Sequence, residues 1–345
     1  MTAKTVQVSS DGITYYTLPG NTADFSAETN QLDDSIFGTV FSSTQPGLIN
    51  WTVSANAMYR GFAGYVASVL RNGTSTAFGS SQAMTSINAT TFQITDETKR
   101  IWDREATFTF TGDGGAITPE SINYLTGTVT FATAPATPVL ATAGRYFPTA
   151  SLGCSNSFNL TQTSDTTDTT CFETASVNGG FATYRATLKT VELELTGFYR
   201  PSNQFYDMLQ GRGELIVEIN PDGNMKSYAR GFFKPVTDSQ TGDVGGDETE
   251  TVSFRLSAPV DVLPFTWVHA NDSTIPDAVK TLLAAWADSE EVYVRYLPEG
   301  PTNEGRQGTA IVTDVSLSQS VDGMAEFSVS LNGTGPALSI NVAST

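Results

Sequence analysis

The sequence predicts a mainly β protein: two tandem or nested β-sandwich (barrel-like) units, each with a short flanking helix, plus a small inserted β-module. Three observations predict it. First, one stretch occurs twice, as Met208–Gly223 and as Ala285–Gly300, with Glu214/Glu291, Pro221/Pro298, Gly223/Gly300 and Gly231/Gly308 at one offset (298 − 221 = 77). Type and spacing kept over such a span indicate an internal duplication. Second, apolar and polar residues alternate in many short runs, the period of half-buried strands. Third, Gly 30 and Pro 15 among many Ser and Thr favour strands joined by turns.

Length and composition set the bounds. The 345 residues leave room for two or three compact units, and 39% hydrophobic content suffices for real cores. Lys+Arg 18 against Asp+Glu 36 gives a net charge of −18, a surface that repels phosphate backbones and serves solubility. No run of about 18 apolar residues is present, so no transmembrane helix is expected, and no membrane partner. The opening residues enter a strand-like pattern with no apolar signal core, which predicts a cytoplasmic place of folding. Cys154 and Cys171 are too few for a disulfide framework or a zinc site and are expected as buried free thiols, although a pairing stays open.

Taken in order, residues 5–18 form a hairpin about Asp11-Gly12, and Thr22–Glu28 a further strand. Asp33–Asn50 is polar and punctuated by Gly and Pro, which predicts a long loop, functional or disordered. Trp51–Arg60 alternates as a strand with one polar face. Phe62–Leu70 carries apolar residues at Phe62, Tyr65, Val66 and Val69, the spacing of a short amphipathic helix. A second copy of this front segment starts at Ser157-Phe158-Asn159-Leu160. A polar loop from Ser164 to about Thr183 follows, and then the strand Val191–Arg200, which matches Trp51–Arg60 (200 − 60 = 140). Phe37 and Phe172 hold matching places in the two loops, and Phe205-Tyr206 begins a matching helix. Each back half closes on an alternating strand, Thr251–Ser257 and Glu326–Asn332.

Residues 75–149 have no counterpart and read as the inserted antiparallel module, with strands near Phe92, Phe108, Ile122, Val129 and Val139. Residues 150–264 form one contiguous unit. Residues 1–74 and 265–345 close around it as a split unit, unless the module supplies the missing strands of the first unit.

No enzyme emerges. The single histidine, His269, reads as a loop residue and cannot serve a duplicated site. Glu192 and Glu194 share a strand face about 7 Å apart, but their counterparts are Thr52 and Ser54, so no acid pair is common to both copies. The loop Asp238–Glu248 has carboxylates for calcium without the spacing of an EF-hand, and reads as a mobile hairpin loop. No cofactor is expected.

The assembled motifs resemble the tail tube (major tail) proteins of long-tailed bacteriophages. The most specific stretch is Gly308-Thr309-Ala310-Ile311-Val312-Thr313 followed by Phe327-Ser328-Val329-Ser330-Leu331-Asn332-Gly333-Thr334-Gly335, similar to the last two strands of that family. The segment Thr22–Arg60 is similar to its opening, and the likeness covers most of the chain outside the inserted module. The resemblance implies a structural virion protein whose rings stack into the conduit for DNA ejection. Two units per chain would give homotrimeric rings with pseudo-sixfold symmetry. Its partners would be further copies of itself, other tail proteins (tape measure, terminator, baseplate or tip) and DNA in transient, non-specific passage. It would reside in the virion tail after assembly in the host cytoplasm. Asp33, Asp34, Phe37, Phe41, Asp168, Phe172 and Glu173 would lie in ring-stacking loops. Thr52, Ser54, Glu192, Glu194, Glu326, Ser328 and Ser330 would face the lumen. A cell-surface or fimbrial β-sandwich adhesin, or a carbohydrate-binding protein, is the alternative reading.

Overall fold

The computed structural model describes residues 4–34, 44–59, 66–70, 74–112, 115–148, 155–198, 209–221, 227–242, 248–258, 262–269, 275–301, 303–320 and 324–342. Strands dominate. The first segment holds β1 (Thr5–Ser9), β2 (Tyr16–Thr17), β3 (Gly20–Asp33), β4 (Thr44–Tyr59) and β5 (Val66–Leu70). The inserted module holds β6 (Thr76–Ala77), β7 (Gln82–Ser86), β8 (Thr91–Ile94), β9 (Thr109–Gly112), β10 (Gly115–Ile117), β11 (Ser121–Asn123), β12 (Thr128–Thr130), β13 (Val139–Ala143) and β14 (Arg145–Tyr146). The second segment follows with β15 (Ser155–Asp168), helix α1 (Phe172–Val177), β16 (Tyr184–Phe198), β17 (Leu215–Asn220), β18 (Ser227–Thr241) and β19 (Thr249–Leu256). The chain closes with β20 (Phe265–His269), helix α2 (Asp277–Asp288), β21 (Glu291–Leu297), β22 (Glu304–Ser320) and β23 (Ala325–Asn341).

The strands outside the module join one 14-stranded antiparallel sheet. Its long strands bridge two neighbours each: β22 pairs β21 along its first half and β15 along its second, while β23 runs along its other edge. The duplication is written into the register. Val292 faces Ala310 as Leu215 faces Phe233, and Tyr296 faces Arg306 as Ile219 faces Ala229, all at an offset of 77 (292 − 215). The bulge between Pro235 and Thr237 recurs between Val312 and Asp314. The hairpin β3–β4 repeats in β15–β16 with offsets of 135 (160 − 25) and 140 (193 − 53), and both of its register shifts recur. Arg212 and Ser289, again 77 apart, are the non-glycine residues with positive φ among the described residues, at 53° and 59°. One side-chain pattern thus encodes one hydrogen-bond ladder twice, down to its irregularities.

Several sequence expectations change here. Val66–Leu70 is a strand, not part of a helix, and it pairs β17 (Val217 opposite Val69) as β1 pairs β21 (Val294 opposite Val8). Five residues of a β-branched-rich run suit either element, and the partner strand decides. Phe62 and Tyr65 lie outside the described residues. The closing strands align as Phe254 with Leu331, two residues from the alignment read in sequence; a slip of two leaves every side chain on its face. The loops of Asp33–Asn50 and Ser164–Thr183 are shorter than expected, because β3 continues to Asp33, β4 begins at Thr44 and β15 continues to Asp168. Those arms are mostly polar, with Leu32, Leu48 and Ile49 as their apolar residues, so their composition resembles a loop, while ladder bonds satisfy the backbone.

The main core lies beneath the apolar face of this sheet, with Val53, Leu160, Leu193, Phe254, Val315, Phe327 and Leu331 all nearly inaccessible. Helix α2 places Val279, Leu282, Leu283 and Trp286 against it, and the Trp286 ring meets Phe265 edge-on. Leu209, Gln210 and Gly211 are helical at the corresponding place in the other copy. The module has a 7-stranded sheet and its own aromatic core around Trp102, Phe92 and Phe110. A smaller cluster of Ile101, Leu125, Phe147, Ile216 and Phe232 joins module to main sheet, reinforced by Arg104 Nη1 on Glu214 at 2.9 Å.

Candidate functional site

Strand alternation turns every second residue of the main sheet away from the core, and the ladder aligns these residues in rows. One row runs Asp24–Ser54–Ser330–Asp314–Thr163–Thr190. The next runs Asn56–Ser328–Ser316–Thr161–Glu192–Arg255–Lys234, and a third Met58–Glu326–Ser318–Asn159–Glu194–Ser253–Thr237. Thr52 continues the face opposite Asn332 and Ser26. All seven residues expected on a polar strand face therefore share one face of one continuous sheet, although they come from three separate strands.

Hydroxyls knit this face together. Ser316 and Ser328 lie 2.6 Å apart, Thr196 and Thr251 3.1 Å, and the Thr163 and Thr190 hydroxyls also bond. Glu192 Oε1 meets Arg255 Nη2 at 2.9 Å. Both groups are well exposed, so the pair contributes at most about 1 kcal/mol. Burial among neighbouring strands raises the Asp314 carboxyl above its ordinary range. Acids (Asp24, Glu28, Glu192, Glu194, Asp314, Glu326) outnumber the bases Arg255 and Lys234 in these rows, and Asp24 is paired with Lys4 at 2.9 Å. Reasoning from sequence missed both bases, though the alternation Thr251, Ser253, Arg255 carries the signal for one.

The expected loop residues are spread more widely. Asp33 ends β3, and Asp34 accepts a bond from Gln45 Nε2 at 2.9 Å; both are exposed. Phe37 and Phe41 lie outside the described residues. Asp168 ends β15 and accepts from the Thr170 N–H at 2.8 Å, while Phe172 and the exposed Glu173 start α1. This α1 segment leans on the other copy: the Ile49 N–H bonds Gly180 O at 2.8 Å, and Tyr184 Oη bonds Asn50 Oδ1 at 2.8 Å.

Besides the outer edges of β2, β5 and β20, two strand edges of the sheet have no strand partner among the described residues where their counterparts in the other copy are paired. One is the edge of β3 away from β4, the other the Thr237–Thr241 half of β18 away from β19. Their counterparts, β15 and the second half of β22, pair each other.

Reactive groups do not converge. His269 ends strand β20 rather than lying in a loop, stacks on Trp267 at 5.6 Å, and bonds Ser227 Oγ through Nδ1 at 3.0 Å. Burial, with Lys280 nearby, lowers its pKa to about 4. Ser227 is fully buried, so its hydroxyl has no access to a substrate. Cys171 is exposed at the start of α1, against the expectation of burial; Cys154 lies outside the described residues. Among the described residues no cluster of three metal-ligating side chains occurs, and part of the acidic loop 238–248 lies beyond them. A recess of about 680 Å3 opens beside Phe25, lined by Tyr296, Glu299, Glu304 and Arg306.

No family model matches the chain, and no curated protein matches it. Among solved structures it is similar to a chain in the tail of an empty gene transfer agent particle, refined with C6 symmetry, at 9% identity and a TM-score of 0.29, covering 32% of this chain and 84% of that one. A chain from the virion of a native gene transfer agent particle is similar at 11% identity and a TM-score of 0.29, covering 34% of this chain and 88% of that one. Likeness at that level does not establish a shared fold.

Proposed function

We propose that this chain is a structural subunit that assembles with copies of itself into rings stacked as a tube, with the polar face of the main sheet lining the bore and DNA passing through it. One observation carries the reading: two copies of one ladder, identical in register, lie side by side in a single sheet through the contact of β15 with β22. That contact is heterologous, one copy's front edge against the other copy's back edge, and such contacts propagate until a rotation closes them. Two units per chain make three chains sufficient for a pseudo-sixfold ring. The bore surface fits a conduit. Hydroxyls and an excess of carboxylates give phosphates few cationic partners, so little counterion release favours sticking. In this reading the arm ends at Asp33, Asp34, Asp168 and Glu173 lie toward the next ring.

Electron microscopy of the purified protein at high concentration tests this. Tubes of uniform bore are the expected result. Monodisperse single particles would overturn it and favour an adhesin-like or sugar-binding β-sandwich.

A further inference from the structure

The internal junction is a template for the junction between copies. Within the chain, β15 lies antiparallel to the second half of β22, with Thr161 opposite Ser316, Asn159 opposite Ser318 and Thr163 opposite Asp314. The counterpart of Thr161 in β3 is Ser26 (161 − 135), and the counterpart of Ser316 in β18 is Ser239 (316 − 77). Both lie on strand edges that no described strand pairs.

Burial marks the same two edges as incomplete. Leu160 in β15 is fully buried, whereas its counterpart Phe25 is half-buried. Gln162 is fully buried, and its counterpart Ala27 is exposed. Across the junction, Leu317 is 2% exposed while its counterpart Gln240 is exposed. The side chains match in kind as well. The template sets Asp24 against Thr241 and Glu28 against Thr237, so no like charges oppose each other.

We infer that β3 of one copy pairs antiparallel with Thr237–Thr241 of the next, in the register that sets Ser26 opposite Ser239. This rests on the self-assembly reading and adds to it which edges meet and at what offset. The period of two matters for the test. A one-residue slip would turn the polar face inward, so the competing registers are slips of two.

The experiment is disulfide trapping in the full-length chain carrying Cys154→Ser and Cys171→Ser. Three variants are compared after mild oxidation: Ser26→Cys with Ser239→Cys, with Thr237→Cys, or with Thr241→Cys. Directly opposed residues suit a disulfide, and a partner displaced by two residues lies beyond its reach, so the first variant should give at least about tenfold more covalent multimer than the others. Its covalent series should end at the trimer. A dominant Thr237 or Thr241 variant, or assembled tubes in which none of the three links, overturns the register while leaving assembly intact. A background protein that forms no multimer by microscopy or light scattering overturns both.

Discussion

At the scale of single residues, two positions show how chemistry and packing constrain each other. Trp51 lies under the β22–β23 pair, its Nε1 donating to Gly335 O at 2.8 Å. A Cβ at Gly333 would sit 2.0 Å from Trp51 Cε2, and one at Gly308 would sit 2.6 Å from Cζ2. These glycines are required by the ring's approach to the backbone. Gly333→Ala should therefore cost about 1–3 kcal/mol by overpacking, read as a lowered midpoint in urea. His269 supplies a pH dependence. Its folded pKa of about 4 lies below the ordinary histidine value of 6.5, so the unfolded chain binds the proton first as pH falls. The stabilisation is fully present above pH 6.5 and is lost progressively between 6.5 and 4, by up to about 3 kcal/mol. Denaturation at pH 7 and at pH 4.5 should show the loss, and His269→Gln should flatten it.

At the scale of elements, the module is anchored where its loops touch β17 and β18. Arg230 of β18 donates to Glu218 of β17 at 2.9 Å through Nε, and its Nη1 donates to the Leu125 carbonyl of the module. Side-chain exposures of 9% and 8% leave little water to screen the pair. Arg230→Ala should cost about 3–5 kcal/mol, because it strands the Glu218 charge in the interior. Arg230→Met together with Glu218→Leu should recover much of that loss, and the two variants are separated by their denaturation midpoints. The Leu125 contact makes the same residue a tie between module and sheet. The module's aromatic core does not depend on it, so near-ultraviolet circular dichroism from the Trp102 cluster should change less than global stability.

For the whole molecule, the repeated ladder extends one sheet across both copies of the unit within the chain. Among the described residues, the outer edge of β3 and the Thr237–Thr241 part of β18 have no strand partner on one side, and such edges recruit strands unless they are blocked. If the polar face lines a bore through which DNA passes, adding cations there should hold the DNA. Glu192→Lys with Glu194→Lys should leave tubes intact and slow ejection, more so at low salt, where phosphate contacts are strongest. Particles carrying the variant and ejecting at the unaltered rate would overturn the assignment of that face to the bore. The net charge of −18 acts in the same direction over the whole surface.

The repeat, its offset of 77 and the polar–apolar alternation were legible because one-dimensional patterns report directly on faces and turns. Alternation marked Thr52, Ser54, Glu192, Glu194, Glu326, Ser328 and Ser330 as one side of their strands, and local chemistry needs no partner for that. What alternation does not contain is which strand lies beside which. Partner choice made Val66–Leu70 a strand on β17, turned polar arms into ladders, and set Arg255 opposite Glu192. It also left β3 open where β15 is covered. Backbone hydrogen bonds between distant segments are nearly sequence-blind, so only the folded sheet decides which edges are paired within the chain and which have no partner among the described residues.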